Sequence, residues 1–239
     1  MTEAPNPPET CELVPPLEWP QQSPIDLGKS FHTKELPCLS FSYHLPVTGQ
    51  FEGDENFHIS AADRNKASLT FDGIVCPLLR LHFHSPAEHL INGVAADFEA
   101  HLVHEVPVSS LNPKPFSVAL GIFFSKPKTH PAESVASVSK PKSLQESVAA
   151  QFFTKTGDDE HTYTFTPEVF LPKNSRHFYH YAGSLTTAPF VETVAWLVLR
   201  KHGKLDTAFE TEAQGRTHHG PRKLQPLNRR FVLRNFKRI

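Results

Sequence analysis

Hydrophobic and polar positions alternate with a period of two through much of this chain, the pattern of strands that bury one face. LSFSYHL (39–45) and ASLTFDG (67–73) alternate cleanly and predict half-buried strands. LLRLHFH (78–84) and FEAHLVHEV (98–106) are richer in apolar residues and predict central strands, with Asn92-Gly93 as turn chemistry between them. SVALGIFF (117–124) is apolar at strand length. TYTFTPEVFL (162–171) returns to strand, VETVAWLVL (191–199) is a strong one, and FVL (231–233) inserts into the sheet. Two segments read as helix instead: LQESVAAQFF (144–153) and LDTAFETEAQG (205–215), the second ending at Gly215.

Composition sharpens this picture. The 239 residues suit one domain with a substantial core, and 22 prolines favour short elements joined by fixed turns. Nineteen Phe against one Met predict a core of rigid aromatics and branched aliphatics. Residues 1–18 are Pro-rich and acidic and read as an N-terminal arm, leaving 19–239 as the domain. SKPK occurs twice within residues 125–143, which read as a Lys/Pro-rich surface loop.

Charge and cysteine count exclude more than they assign. A net charge of −1 demands neither nucleic acid nor a membrane, and no apolar run approaches spanning length. The tail from Arg216 to Ile239 is basic without any Asp or Glu, yet no nucleic-acid motif accompanies it, so its charges read as solvated. No signal peptide is visible, and three cysteines (Cys11, Cys38, Cys76) make a poor disulfide framework. A cytoplasmic location is the expectation, although a secreted protein with its leader removed would read the same way.

The chemistry concentrates in LRLHFHSPAEHLINGVAADFEAHLVH (79–104). His82 and His84 are two apart, so a strand throws both imidazoles onto one face. Glu99 and His101 share a face of the next strand, and antiparallel pairing brings His101 beside the first two. Three neutral imidazoles leave one tetrahedral position of a zinc ion open, the ligand set of a catalytic site. A cupin-type iron or manganese enzyme also opens with His-x-His and a nearby Glu, which His82, His84 and Glu88 fit, but its glycine spacing and later Pro-x-Gly-x-x-His element are missing. Chance clustering in a chain of 15 histidines is the other alternative.

Five segments in order separate these readings. QQSPIDL (21–27), LHFHSPAEH (81–89) with FEAHLVH (98–104), YHYAGSLTTAP (179–189), VETVAWLVL (191–199) and LQPLNRR (224–230) resemble the conserved segments of the alpha-class carbonic anhydrases, over residues 19–236. The resemblance implies a mainly β (α+β) single domain: a large twisted, mostly antiparallel sheet with short peripheral helices and a zinc cleft on the sheet. It implies Zn2+ on His82, His84 and His101, and reversible hydration of carbon dioxide to bicarbonate by zinc-bound hydroxide, inhibited by sulfonamides and anions. A non-catalytic binding or storage relative is the alternative.

The resemblance also assigns roles by position. Thr186 is the gatekeeping hydroxyl, and Glu88 accepts its proton; because a hydroxyl has one proton, that acceptor commits it. Val103, Ala119, Leu185, Val194 and Trp196 form the apolar carbon dioxide pocket, and Thr187 meets product and inhibitors. His58, in Asn56-Phe57-His58, takes the proton-shuttle position, suited to an imidazole. Glu99 accepts from His101 and orients it. Arg80 departs from the pattern: the family has Gln behind His82, and Arg carries five donors and no acceptor. His82 is therefore expected to be held less well. Ala61 replaces a common polar position and Ala188 a proline, and no cysteine follows SLTTAP to close the bridge of many secreted relatives.

Overall fold

The computed structural model describes residues 19–53, 56–108, 116–125, 162–204, 211, 216–217 and 220–237. The first strands are β1 (Ser30–His32), β2 (Leu39–Ser42), β3 (Val47–Glu52), β4 (Asn56–Ile59) and β5 (Ser68–Phe71), followed by the long β6 (Ile74–His84). A small hairpin, β7 (Leu90–Ile91) and β8 (Val94–Ala95), precedes β9 (Phe98–Val106) and β10 (Phe116–Ser125). β11 (Thr162–Phe165), β12 (Phe178–Gly183), β13 (Val194–Leu199), β14 (Gly203–Lys204) and β15 (Val232–Arg234) complete the described strands.

Thirteen of these form one open sheet with the main order β1-β15-β12-β13-β10-β9-β6-β4-β3-β11. Most pairs are antiparallel; β15 runs parallel to β1, and β13 and β14 run parallel to β10. The centre is β6-β9-β10, and β9 and β13 are buried almost from end to end. Burial on both faces explains why these segments read as near-continuous apolar runs.

Alternation divides the buried residues into two layers. Leu81, Phe83, Leu102, Leu120, Ile122 and Leu197 join the larger core on one face. Ala119, Phe123, Trp196 and Val198 join the smaller core on the other, the face of His82, His84 and His101. Each fully buried Leu or Phe stabilises the sheet by about 1.5–3 kcal/mol, so register is fixed by burial.

Several expectations meet corrections. TYTFTPEVFL keeps its strand only to Phe165, and Pro167–Phe170 turn into a 3-10 helix. Pro167 has no N–H to give a ladder and its fixed φ suits a helical first turn. VETVAWLVL pairs only from Val194. Asn92-Gly93 closes the β7–β8 hairpin inside the β6–β9 connection, with φ of 52° and 77°, the left-handed pair a two-residue turn requires. Asp26 of QQSPIDL accepts the N–H groups of Asn92 (3.0 Å) and Gly93 (2.7 Å), which fastens that hairpin to the N-terminal segment. The helix read at 144–153, the loop at 125–143 apart from Ser125, and the arm at 1–18 lie outside the described residues, as does nearly all of 205–215. The described helical segments outside that region are two short 3-10 turns, Arg64–Lys66 and Pro167–Phe170.

His104 sits on the larger-core face, fully buried. Its Nδ1–H donates to Val118 O at 3.2 Å and its Nε2 accepts from the Tyr43 hydroxyl. Both nitrogens are used by the neutral ring, and burial lowers its pKa from 6.5 to about 3. The unfolded chain therefore binds a proton that the folded chain refuses, between those two values. Stability is full above pH 6.5 and falls as pH drops toward 3, by about 1.4 kcal/mol per unit. Between pH 7.5 and 5, the wild type should lose roughly 2 kcal/mol more than His104→Gln in urea unfolding. Parallel losses in the two proteins would show that His104 is not the group responsible.

Candidate metal centre

His82 and His84 of β6 share a face, and the register sets His82 opposite His101 of β9. Ring centroids lie 4.9 Å (His82–His84), 5.1 Å (His82–His101) and 4.6 Å (His84–His101) apart. One nitrogen from each ring falls within 4.8 Å of the others, and all three residues are buried. His101 Nδ1 lies 3.2 Å from His82 Nε2. A zinc ion with bonds of about 2.0–2.1 Å in tetrahedral geometry separates two nitrogens by roughly 3.3–3.4 Å. Burial holds His82 and His84 well below the usual imidazole range, reinforced by the neighbouring histidines. Neutral rings are the form that binds metal. His84 Nε2 is buried without a hydrogen-bond partner. The donor set, spacing and orphaned nitrogen all fit zinc.

Glu99 anchors the layer beneath. Its Oε1 lies 3.0 Å from His101 Nε2 and accepts from His89 Nδ1 at 2.7 Å. Its Oε2 accepts the N–H groups of Glu88 (3.0 Å) and His89 (2.9 Å). Burial alone would raise this carboxyl; His89 and His101 beside it hold it well below the usual range. His89 Nε2 lies 2.6 Å from the Tyr181 hydroxyl, which lies 2.9 Å from Ser23 Oγ. Gly121, opposite His101 on β10, leaves room for this carboxylate: a Cβ there would stand 2.9 Å from Glu99 Oε1.

A cleft of about 500 Å³ opens above the histidines. Arg80, His82, His84, Glu88, Thr186 and Thr187 line it, with Asn56, Phe190 and Arg222. His101 lies at the buried floor. Glu88 Oε1 accepts the Arg222 N–H at 2.8 Å, while Oε2 is buried without a hydrogen-bond partner, 3.4 Å from His84 Nε2. No hydrogen bond joins Glu88 to Thr186 among the described residues, although both face the cleft. His82 Nδ1 is also buried without a partner, so among the described residues nothing replaces the acceptor that Arg80 cannot provide.

Residues 8–236 match the eukaryotic-type carbonic anhydrase family. The chain belongs to that family. A carbonic anhydrase of Neisseria gonorrhoeae is 28% identical over 215 residues, 89% of this chain and 76% of the relative. The alpha-carbonic anhydrase structure of Photobacterium profundum superposes with a TM-score of 0.68 at 26% identity, covering 90% of each chain. That of Thermovibrio ammonificans, in complex with the inhibitor sulfanilamide, gives 0.67 at 25% identity over 89% of this chain and 86% of the other.

Other residues expected in this carbonic anhydrase cleft do not line it. Val103, Ala119, Val194 and Trp196 are buried beside it, with the Trp196 ring 4.7 Å from the His101 ring, and Leu185 is half-buried. His58 sits on β4 opposite Arg80, its Nε2 held 3.0 Å from Glu52. Its pKa is lowered by burial and by Arg80 and Arg64, with Glu52 opposing. His89, Tyr181, Ser23 and Arg222 went unread in the sequence. His89 closes the LHFHSPAEH segment, and a second histidine within reach of Glu99 was the signal available.

Proposed function

We propose that this protein hydrates carbon dioxide reversibly to bicarbonate and a proton, with zinc held by His82, His84 and His101. The observation that carries this reading is the meeting of three buried imidazoles from paired strands at the floor of a cleft, with burial holding His82 and His84 to the neutral form. Zinc bound there would lower the pKa of a coordinated water toward neutrality and so supply the nucleophile. Glu99, with Oε1 3.0 Å from His101 Nε2, would accept from that ring and fix it.

Glu88 accepts a hydrogen bond from the Thr186 hydroxyl in this reading; its support is a buried, partnerless Oε2 in the cleft that Thr186 also lines. So committed, Thr186 accepts rather than donates toward the metal side. Thr187 and the Thr186 N–H meet the product and inhibiting anions. Val103, Ala119, Leu185, Val194 and Trp196, which lie beside the cleft and outside its lining, would have to meet carbon dioxide at its buried floor, where a molecule that offers little to hydrogen-bond needs apolar surface. His58 passes the released proton outward, supported by its place on the strand beside Arg80 and its partial exposure. Sulfonamide binding is expected too, since the Thermovibrio relative takes sulfanilamide.

Two placements accompany the proposal. Residues 1–18 are an arm preceding the catalytic domain. The protein is cytoplasmic, supported by the odd cysteine count; no helix among the described residues is long and apolar enough to cross a membrane.

The experiment is a carbon dioxide hydration assay with zinc quantified and a sulfonamide challenge in the same sample. A His58→Ala arm in dilute buffer reads the proton exit, which should slow and recover with added imidazole. One observation favours a second reading, a binding or storage protein without turnover: Thr186 and Glu88 are not joined. Zinc-loaded protein that neither hydrates nor binds sulfonamide would establish that second reading.

Arg80→Gln tests the metal's support directly. Gln offers His82 Nδ1–H an acceptor, so zinc affinity should tighten by roughly 10–100-fold. Competition with a chelator of known affinity measures it, and unchanged affinity would refute the role given to Arg80.

A further inference from the structure

Arg80 is the cleft residue whose charge the hydration reading leaves unused. Its guanidinium is half-buried in the cleft wall. Among the described residues it makes no hydrogen bond or ion pair; Glu52 acts on it only through charge, and that carboxylate is bound to His58 at 3.0 Å. Arginine keeps its charge and presents five donors in a rigid fork. Leaving such a group half-buried without an acceptor is costly, and a ligand that supplies the acceptor removes the cost.

Of the other charged groups of the lining, Arg222 is committed and Glu88 is committed through Oε1 alone, its Oε2 being without a hydrogen-bond partner among the described residues. Glu88 Oε1 accepts the Arg222 N–H. The Arg222 guanidinium donates to Ser23 O at 2.6 Å and lies 3.9 Å over the Phe190 ring. Among the described residues the lining thus holds two charged groups with unused hydrogen-bonding capacity, Glu88 Oε2 and the Arg80 guanidinium, and the guanidinium is the one that offers N–H donors to an anion. Asn56 and Thr187 add hydrogen-bonding side chains to the same lining, and Phe190 adds apolar surface. At about 500 Å³ the cleft is far roomier than carbon dioxide requires and matches small-molecule sites.

We infer that Arg80 forms a carboxylate subsite beside the metal centre. The two oxygens of a planar carboxylate match two parallel N–H groups of the guanidinium. Two sources share that chemistry: the product bicarbonate, and an organic carboxylate whose apolar body lies against Phe190. The inference rests on the hydration reading only where the occupant is the product.

The test titrates the full-length protein with benzoate, and separately with bicarbonate, by calorimetry. Wild type, Arg80→Lys and Arg80→Gln are compared at zinc contents measured and matched. Benzoate binding should weaken roughly tenfold or more in Arg80→Gln, with Arg80→Lys between the two. Bicarbonate weakening in parallel supports the subsite and makes it a product site. Bicarbonate binding that ignores Arg80 while benzoate depends on it supports the subsite with an organic carboxylate as occupant. Equal benzoate affinity in all three proteins, as expected were the anion to bind only the metal, overturns the inference.

Hydration is assayed on the same samples. A protein that lacks hydration but binds benzoate through Arg80 keeps the subsite and ends the hydration reading. A hydrating protein whose benzoate binding ignores Arg80 does the reverse. Arg80→Lys keeps length and charge, and thermal unfolding of each variant shows that the fold is intact.

Discussion

His82→Ala should strip the protein of zinc and reduce carbon dioxide hydration to background. The site offers three imidazoles; the one further histidine grouped with His101 among the described residues, His89, is bonded to Glu99 and Tyr181. Removing one leaves two donors from different strands, which hold a tetrahedral ion poorly. Structural zinc sites with four ligands bind with about 10–16 kcal/mol, so one ligand is worth several kcal/mol. The expected loss of affinity is roughly a thousandfold or more.

The fold should survive that change. His82 faces the cleft, whereas its strand neighbours Leu81 and Phe83 fill the opposite core. Urea unfolding of metal-free wild type and metal-free His82→Ala should differ by less than about 1 kcal/mol, the range of substitutions outside the core. A variant that keeps one zinc per chain would sink the three-histidine assignment. Iron or manganese in the wild type would redirect the chemistry toward a cupin-like reaction.

The features legible in the sequence were those governed by a period of two. FEAHLVHEV matches β9 residue for residue, because its ends coincide with the ends of burial. The convergence of His82, His84 and His101 follows from alternation plus one antiparallel register. What stayed hidden depends on how turns return. The β6–β9 connection folds back so that the N–H groups of Glu88 and His89 both reach Glu99, and no spacing rule announces that. The pairing of His58 with Glu52 depends on the β3–β4 register, which sets Glu52 opposite Asn56 and leaves the two side chains within reach. Pro167 gave a visible signal, since a proline inside an apolar run ends a strand.

Glu99→Ala should cost more stability than any other single change around the metal centre. The carboxylate is wholly buried and receives the N–H groups of Glu88 and His89 and the ring of His89, with His101 Nε2 at 3.0 Å. Alanine would leave two backbone donors and two imidazole N–H groups facing a cavity. Each unsatisfied buried donor costs about 1–3 kcal/mol. Partial collapse and entering water relieve some of this, so about 4 kcal/mol of lost unfolding free energy is the expected figure. Much of that would be visible in metal-free protein, which separates it from zinc loss. Glu99→Gln keeps the volume and one acceptor oxygen, so it should recover part of the stability. Its amide nitrogen meets donors on one side, however, and zinc affinity should stay depressed by roughly 10–100-fold. Urea unfolding of both variants without metal, followed by chelator competition with it, reads the two effects separately. A Glu99→Ala protein as stable as wild type would mean that the four donors find water instead, and that Glu99 holds the metal's ring without holding the fold.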